Sequence, residues 1–198
     1  MKVAIIGAGN VGKALTSSFT GAGHDVTVAA THPDHARDAA ATVGASAAST
    51  SRQAVADADL VVLAVPVTAL DSIARELGDE LAGKTVVDVS NRPTPDPAGP
   101  GTSIAEELQV RLPRSRVVKA FNTLFASRQA DPVVGGVPVD GFVAGDDDTA
   151  KATVLDALEG MGFRPVDAGP LAAGARSRAW RGSISAGTWR AARGRTPT

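Results

Sequence analysis

The chain has 198 residues, 43% of them hydrophobic and 21% charged, with a formal net charge of −1. This composition predicts a globular protein, and the length allows one sizeable core but not two full domains. It has no cysteine and no tyrosine, which excludes a thiolate nucleophile, a zinc–thiolate site and a tyrosine proton donor, and its three histidines are too scattered for a good metal site. No apolar run approaches the roughly 20 residues of a membrane span and the N-terminus lacks a secretory pattern, so we expect a cytoplasmic protein without a membrane partner.

Predicted strands and helices alternate along most of the chain. Short apolar runs predict strands at Val3–Ile6, Val26–Ala30, Asp59–Pro66, Lys84–Val89, Arg116–Phe121, Val137–Gly145 and Phe163–Asp167. Apolar residues spaced three and four apart, with capping residues, predict helices at Asn10–Ala22, Pro33–Val43, Ser51–Ala56, Thr68–Leu81 and Asp147–Met161. Thr102 or Ser103 is expected to cap a further helix that ends at Val110. This alternation predicts an α/β fold, a Rossmann-type doubly wound and mostly parallel sheet in a single compact domain.

Two stretches depart from the alternation. Ser90–Gly101 contains four prolines and two glycines, which predicts a loop. Residues 172–198 carry six arginines and no acidic residue, whereas residues 1–171 carry 14 basic and 21 acidic residues. We therefore predict a folded nucleotide-binding domain over residues 1–171 and a basic, loosely ordered or irregular C-terminal segment over residues 172–198.

The first predicted strand runs directly into GAGNVG, and a predicted helix follows at once. This G-x-G-x-x-G pattern between strand and helix is the dinucleotide-binding fingerprint, although a glycine turn with a structural role alone is the alternative. The first glycine is expected to make the tight turn, the second to admit the pyrophosphate, and the third to let helix and strand pack closely. The helix start offers free N–H groups to the phosphates. The predicted pyrophosphate site is Gly7, Ala8, Gly9, Asn10, Val11 and Gly12.

The end of the second predicted strand selects between NAD and NADP. NAD-binding proteins place Asp or Glu there, but this strand ends in Ala30-Thr31 and has no acid, which favours NADP. We expect Thr31, His32 and His35 to contact the 2′-phosphate. Against this, no arginine directly follows the strand and Asp34 is near, and the two histidines have an alternative role as exposed residues at a helix start.

The remaining strand ends carry no recognisable acid–base set. We interpret Asp88 as a structural carboxylate and Lys119 as a solvated or phosphate-facing charge, with catalysis as the alternative for the lysine. A ketone reductase must protonate an alkoxide, whereas hydride transfer between two ring cofactors needs chiefly orientation. No catalytic acid or base is therefore assigned. The ligand contacts expected at these strand ends are Val65, Pro66, Ser90, Asn91, Asn122 and Thr123.

Four stretches, MKVAIIGAGNVGKAL, LVVLAVP, VVKAFNTLFA and FVAGDDDTAKATVLDALEGMGFRPVDAGPL, resemble the NADPH-dependent coenzyme F420 reductases, the F420H2:NADP oxidoreductase family, over residues 1–171. The last stretch is the most specific, and the related group includes the reductase domains of STEAP-type metalloreductases. The resemblance implies NADP(H) as cofactor and F420 as co-substrate. It implies a nicotinamide near Val65-Pro66 and a deazaflavin between the Pro66 loop, Asn122-Thr123 and the C-terminal segment. It also implies a homodimer; no nucleic acid partner is expected.

The chain departs from this family in two places. Ala30-Thr31 stands where the family commonly has a Ser-Arg pair. The family usually ends in a helix followed by a largely apolar segment, whereas this chain ends in a basic segment. We consider two hypotheses for this basic segment. Its arginines bind the anionic tail of F420, or it is a divergent, disordered end of the chain. We predict an NADPH:F420 oxidoreductase. The alternatives are an NADPH-dependent reductase of a flavin or ferric acceptor and a non-catalytic NADP-binding protein.

Overall fold

The computed structural model describes residues 1–91 and 102–176, so most of the predicted loop at Ser90–Gly101 and the basic segment beyond residue 176 lie outside the described residues. The strands are β1 (Lys2–Ile6), β2 (Asp25–Ala29), β3 (Ser46–Ala47), β4 (Leu60–Leu63), β5 (Thr85–Asp88), β6 (Arg116–Lys119), β7 (Val133–Val134), β8 (Val137–Pro138), β9 (Asp140–Gly145) and β10 (Arg164–Asp167). The α-helices are α1 (Asn10–Gly21), α2 (Pro33–Ala41), α3 (Ser51–Val55), α4 (Leu70–Leu77), α5 (Ile104–Arg111), α6 (Ala126–Ala130) and α7 (Asp148–Gly160). Short 3-10 helices lie at Val67–Ala69 and Leu171–Arg176.

Eight of these strands form one sheet in the order β10-β9-β6-β5-β4-β1-β2-β3. All neighbours are parallel except β6 and β9, which run antiparallel. The strands β7 and β8 form a separate antiparallel hairpin. The predicted Rossmann-type, mostly parallel sheet is therefore confirmed, and it lies in a single domain.

The strand order reverses at β1, which pairs with β2 on one side and with β4 on the other. Ile6, the last residue of β1, lies opposite Ala29 of β2 and Leu63 of β4. The connections from β1 and from β4 leave in opposite directions along the sheet, so their helices cover opposite faces. In such sheets a crevice opens where the connections that leave the carboxyl ends of these two strands diverge.

The core consists of two apolar clusters, one on each face of the sheet. Leu15 and Phe19 of α1 are fully buried on one face. The Phe19 ring lies 6.1 Å from the ring of Phe121, which lies 6.1 Å from that of Phe163. On the other face the strands pack against α3, α4 and α5. The contacts of Leu15 and Phe19 hold α1 against its face of the sheet.

Two local predictions about helices are confirmed. The expected apolar face of α4 is buried, with Leu70, Ile73 and Leu77 all in the core. At the start of α5 the Ser103 hydroxyl accepts the N–H of Glu106 at 3.1 Å, and the Glu106 carboxylate accepts the N–H of Ser103 at 2.7 Å. This reciprocal pair satisfies two amide groups that the helix itself cannot.

Several elements differ from their predicted limits. The strand expected over Val137–Gly145 is interrupted, because its first two residues pair with β7 across Gly135 and Gly136. Both glycines have positive φ, 57° and 80°, which a two-residue hairpin turn of this kind requires. The helix expected over Thr68–Leu81 starts as a 3-10 turn and its α-helical part ends at Leu77. The strand β3, which has two residues, and the helix α6, which has five residues and no side-chain cap, were not predicted.

Asp146 and Asp147, the acidic residues that follow β9, lie at the edge of the sheet away from the crevice. Because β9 runs antiparallel to β6, its carboxyl end points toward the start of β6, where Asp147 lies 3.3 Å from Nε of Arg116. The Asp147 side chain also caps α7. Asp146 accepts the N–H of Leu171 at 2.8 Å and so ties the last 3-10 helix to the sheet. Asp146 and Asp147 therefore both join helices to the sheet.

Replacing Phe19 with Ala tests the core that holds α1 in place. The side chain is 0% exposed, so the substitution leaves a cavity and lowers the free energy of unfolding by about 3–5 kcal/mol. Urea unfolding followed by circular dichroism measures the loss. Val110→Ala is the control, because Val110 is 79% exposed and its loss changes stability by about 0.5 kcal/mol or less. A loss below about 1 kcal/mol for Phe19→Ala would contradict the assignment.

Candidate nucleotide-binding site

The turn between β1 and α1 packs so tightly that two of its glycines admit no side chain. Gly7 has a φ of +113°, and a Cβ there would lie 2.8 Å from the carbonyl carbon of Ala64. A Cβ on Gly12 would lie 2.8 Å from the carbonyl carbon of Gly7. Both distances are shorter than real Cβ contacts, so the first turn of α1 rests on the backbone of the preceding turn. The close helix–strand packing predicted for Gly12 is observed.

Gly9 differs from both neighbouring glycines. Its φ of −74° suits any residue, and a Cβ there would meet nothing within 4 Å among the described atoms. The fold therefore does not require glycine at this position. At the start of a helix that directly follows a parallel strand, such a glycine lets a phosphate group approach the backbone closely.

The start of α1 is electrostatically suited to an anion. Gly9 is its N-cap, no side-chain hydrogen bond caps the helix, and no acidic residue lies in its first turn. The first N–H groups of a helix lack partners within the helix and carry a partial positive charge. Ala8, Asn10 and Val11 complete the turn around Gly9, and Ala8 and Val11 are partly buried against the core while Asn10 is exposed. The residues present fit a pyrophosphate group.

The end of β4 lies directly beside this turn. The Ala64 N–H donates to the carbonyl oxygen of Ile6 at 2.8 Å, which continues the β1–β4 pairing to the edge of the sheet. Val65 follows, half-buried, and Pro66 is exposed and starts the 3-10 helix Val67–Ala69. The structure thus brings the predicted pair Val65-Pro66 to the same crevice as the glycine turn.

The end of β2 reaches the crevice from the other side, because the Gly7 N–H donates to the carbonyl oxygen of Ala29 at 2.8 Å. Thr31, His32 and His35 follow, and all three are exposed. The rings of the two histidines lie 5.3 Å apart, edge to face. The nearby arginine, Arg37, is paired with Asp34 on α2. These residues form a polar group at the start of α2, one strand away from the turn at Gly9.

The ends of β5 and β6 are joined to each other by side-chain amides. Nδ2 of Asn91 donates to the carbonyl oxygen of Asn122 at 2.9 Å, and Nδ2 of Asn122 lies 3.5 Å from Oδ1 of Asn91. Asn91 is exposed, whereas Asn122, Thr123 and Ser90 are buried. Of the residues predicted at these two strand ends, Asn91 therefore presents the most surface to a ligand.

The interpretation of Lys119 as a solvated charge is wrong. Its side chain is 5% exposed, and its Nζ donates to Oδ2 of Asp88 at 2.7 Å and to the carbonyl oxygen of Ser90. The interpretation of Asp88 as a structural carboxylate is confirmed, because its Oδ1 also accepts the Ser90 N–H and hydroxyl. The sequence alone could not indicate this pairing, since it follows from β5 and β6 being neighbours with these two residues opposite each other.

Sequence reasoning also missed the loop that follows β6. Phe121 has a φ of 61°, which is strained for an aromatic residue, and Nε2 of the buried Gln129 donates to its carbonyl oxygen at 2.8 Å. Phe125, four residues later, is 81% exposed. The FNTLF stretch carries no glycine or proline, so nothing in it signals a strained turn.

Within residues 1–91 and 102–176 no group of three or more His, Asp or Glu side chains could hold a metal ion. In the same residues no helix is both long and apolar enough to cross a membrane.

The reversed strand order, the glycine turn and the uncapped helix start define a Rossmann-type nucleotide-binding protein. The sequence pattern of the family described as NADP oxidoreductase, coenzyme F420-dependent, matches residues 2–92. In this part of the sequence the chain is similar to a family of NADP-dependent oxidoreductases.

Known relatives differ in what they reduce. The chain is 35% identical over 172 residues to the metalloreductase STEAP3 of Rattus norvegicus, covering 86% of this chain and 34% of that protein. It is 32% identical over 130 residues to the F420-dependent NADP reductase of Methanocaldococcus jannaschii, covering 61% of this chain and 58% of that protein. A crystal structure from Arthrobacter sp. FB24, described as a candidate F420-dependent NADP reductase, superposes with a TM-score of 0.74 at 27% identity, covering 92% of this chain and 88% of that one. The chain thus spans about a third of one curated relative and less than two thirds of the other.

Replacing Gly9 with Val tests the glycine turn. Nothing lies within 4 Å of the new Cβ, so the free energy of unfolding changes by about 1 kcal/mol or less. The isopropyl group occupies the space that the pyrophosphate needs, so the dissociation constant for NADPH rises at least about tenfold. Fluorescence titration with NADPH measures the change.

The matched control for this substitution is Gly160→Val. Gly160 also has open space around its missing Cβ, but it lies at the end of α7. NADPH affinity is expected to stay at the wild-type value in this variant. Equal affinities in the Gly9 and Gly160 variants would show that the turn does not hold the nucleotide.

Proposed function

We propose that this protein transfers a hydride between NADPH and the deazaflavin coenzyme F420. The observation that carries the proposal is Gly9, a glycine that neither packing nor backbone conformation requires, at a helix start without a cap. The match of residues 2–92 to the NADP oxidoreductase family supports NADP as the cofactor, and the similarity to the F420-dependent NADP reductase supports F420 as the second substrate.

The proposed nucleotide contacts follow the crevice from one strand end to the next. The pyrophosphate rests on residues 7–12, and the 2′-phosphate is contacted by Thr31, His32 and His35. Val65 and Pro66 offer an apolar surface to the nicotinamide ring, with Ser90 and Asn91 on its other side. Asn122 and Thr123, buried at the end of β6, support the acceptor side.

Bound NADPH supplies the hydride, which carries two electrons and one proton to the acceptor ring. Reduction of F420 takes up one further proton, and no side chain is assigned as its donor. The contribution of this chain is then to bind and orient two flat rings, which suffices for direct hydride transfer.

Reduction of a flavin or ferric acceptor is the second candidate. It is favoured by the similarity to STEAP3, a metalloreductase, which extends over more of this chain than the similarity to the F420-dependent reductase. A third candidate, a protein that binds NADP without catalysis, follows from the departures from the family at Ala30-Thr31 and in the basic segment. A homodimer and a cytoplasmic location stay predictions of the sequence.

Mixing the protein with NADPH and oxidised F420 in a stopped-flow spectrometer tests the first candidate. We expect the F420 absorbance to bleach with one equivalent of NADPH consumed per F420. Parallel reactions with a free flavin and with a ferric chelate measure the second candidate. Tight NADPH binding with no oxidation by any of the three acceptors would favour the non-catalytic candidate and refute hydride transfer.

Replacing Thr31 with Asp tests the proposed 2′-phosphate contact. A carboxylate at this exposed position repels the 2′-phosphate, so the NADPH dissociation constant rises at least about tenfold at low salt, while NADH affinity is unchanged or improves. Titrations with both nucleotides measure the ratio.

The control for this substitution is Thr42→Asp, an exposed threonine at the far end of the same helix α2. This variant should keep the wild-type ratio of the two affinities. An unchanged ratio in the Thr31 variant would refute the assignment of Thr31.

A further inference from the structure

Two opposite charges are buried side by side at the carboxyl edge of the sheet. Asp88 ends β5 and Lys119 ends β6, the two residues lie opposite each other in the parallel register, and their side chains are 0% and 5% exposed. The distance between Nζ and Oδ2 is 2.7 Å. A Cβ built on Gly174 would lie 3.3 Å from Cγ of Lys119, so the 3-10 helix Leu171–Arg176 covers the lysine stem.

Apolar packing alone does not account for this pair. The residues preceding them, Val86 and Val87 in β5 and Val117 and Val118 in β6, are all buried valines. Removing two charges from water costs several kcal/mol per ion, and a buried ion pair is often no more stable than apolar residues of similar volume. The ion pair at this place therefore has a role that apolar side chains could not supply.

The charges hold the chain where it leaves β5. Asp88 accepts the Ser90 N–H at 2.8 Å and the Ser90 hydroxyl at 2.6 Å, and Lys119 donates to the Ser90 carbonyl oxygen. All three polar groups of Ser90 are thus bound by the pair. The next residue, Asn91, is exposed and is held by the carbonyl oxygen of Asn122.

We propose that Asp88 and Lys119 are positioning residues that fix Ser90 and thereby hold Asn91 in place against the nicotinamide ribose and ring. The proposal rests on the function proposed above. The ion pair itself touches no cofactor; it acts through the backbone of residues 90 and 91. Its effect is on the orientation of the reacting ring and not on the binding of the phosphates, which are held two strands away at β1.

The double variant Asp88→Asn/Lys119→Met tests this role. It removes both charges together, so no unpaired ion is left in the core. The amide that replaces the Asp88 carboxylate keeps one acceptor oxygen for Ser90, while the hold on the Ser90 carbonyl is lost. We expect a melting temperature within a few degrees of wild type and NADPH affinity within about threefold. The rate of hydride transfer in a single turnover should fall about 10–100-fold, because a misplaced ring reacts slowly.

A second readout needs no acceptor. The fluorescence anisotropy of bound NADPH reports how firmly the nicotinamide is held, and it should fall in the double variant. Lys84→Met is the control, because Lys84 bonds the carbonyl oxygens of Ala56 and Ala58 at the opposite edge of the sheet. It should leave both the transfer rate and the anisotropy unchanged.

Asn91→Ala keeps the proposal testable even if the double variant fails to fold. The side chain is exposed, and its loss should reproduce the fall in anisotropy and in transfer rate. A folded double variant with wild-type anisotropy, or an Asn91→Ala variant with wild-type anisotropy, would overturn the positioning role. If the wild-type protein transfers no hydride to F420, the proposed function fails, and the anisotropy still decides the role of the pair.

Discussion

The structure depends on the direct contact of backbone with backbone where β1 turns into α1. Gly12 lies against the carbonyl group of Gly7, and Gly7 lies against that of Ala64, with no room for a side chain at either glycine. This contact seats the helix start at the strand reversal between β1 and β4. The crevice, the uncapped N–H groups and the open space at Gly9 all follow from it.

Around this contact the carboxyl edge of the sheet is held by polar groups that bond one another. The amides of Asn91 and Asn122 bridge β5 and β6, the ion pair below them fixes Ser90, and Gln129 holds the strained turn at Phe121. A flat ligand needs a rigid surface on which to stack, and side-chain hydrogen bonds between neighbouring strand ends help to make this edge rigid. The proposed hydride transfer depends on the orientation of two rings, and a rigid carboxyl edge of the sheet would hold them in place.

The sequence predicted those features whose physical cause is local. The glycine turn, the capping box at Ser103 and the apolar face of α4 each depend on residues within a few positions of one another. Lys119 was misread because its partner lies 31 positions earlier and is brought close only by strand order. The hairpin at Gly135-Gly136 escaped prediction because its two-residue strands are too short to show a period.

The antiparallel pairing of β9 with β6 has a consequence for how relatives of this protein are recognised. It turns the carboxyl end of β9 toward the sheet edge opposite the crevice, where Asp146 and Asp147 tie helices to strands. These two residues therefore have a structural role, and they lie outside residues 2–92, which match the family pattern. Similarity in this stretch therefore reports how the sheet is held together, and evidence of nucleotide binding must be sought at the glycine turn of residues 7–12.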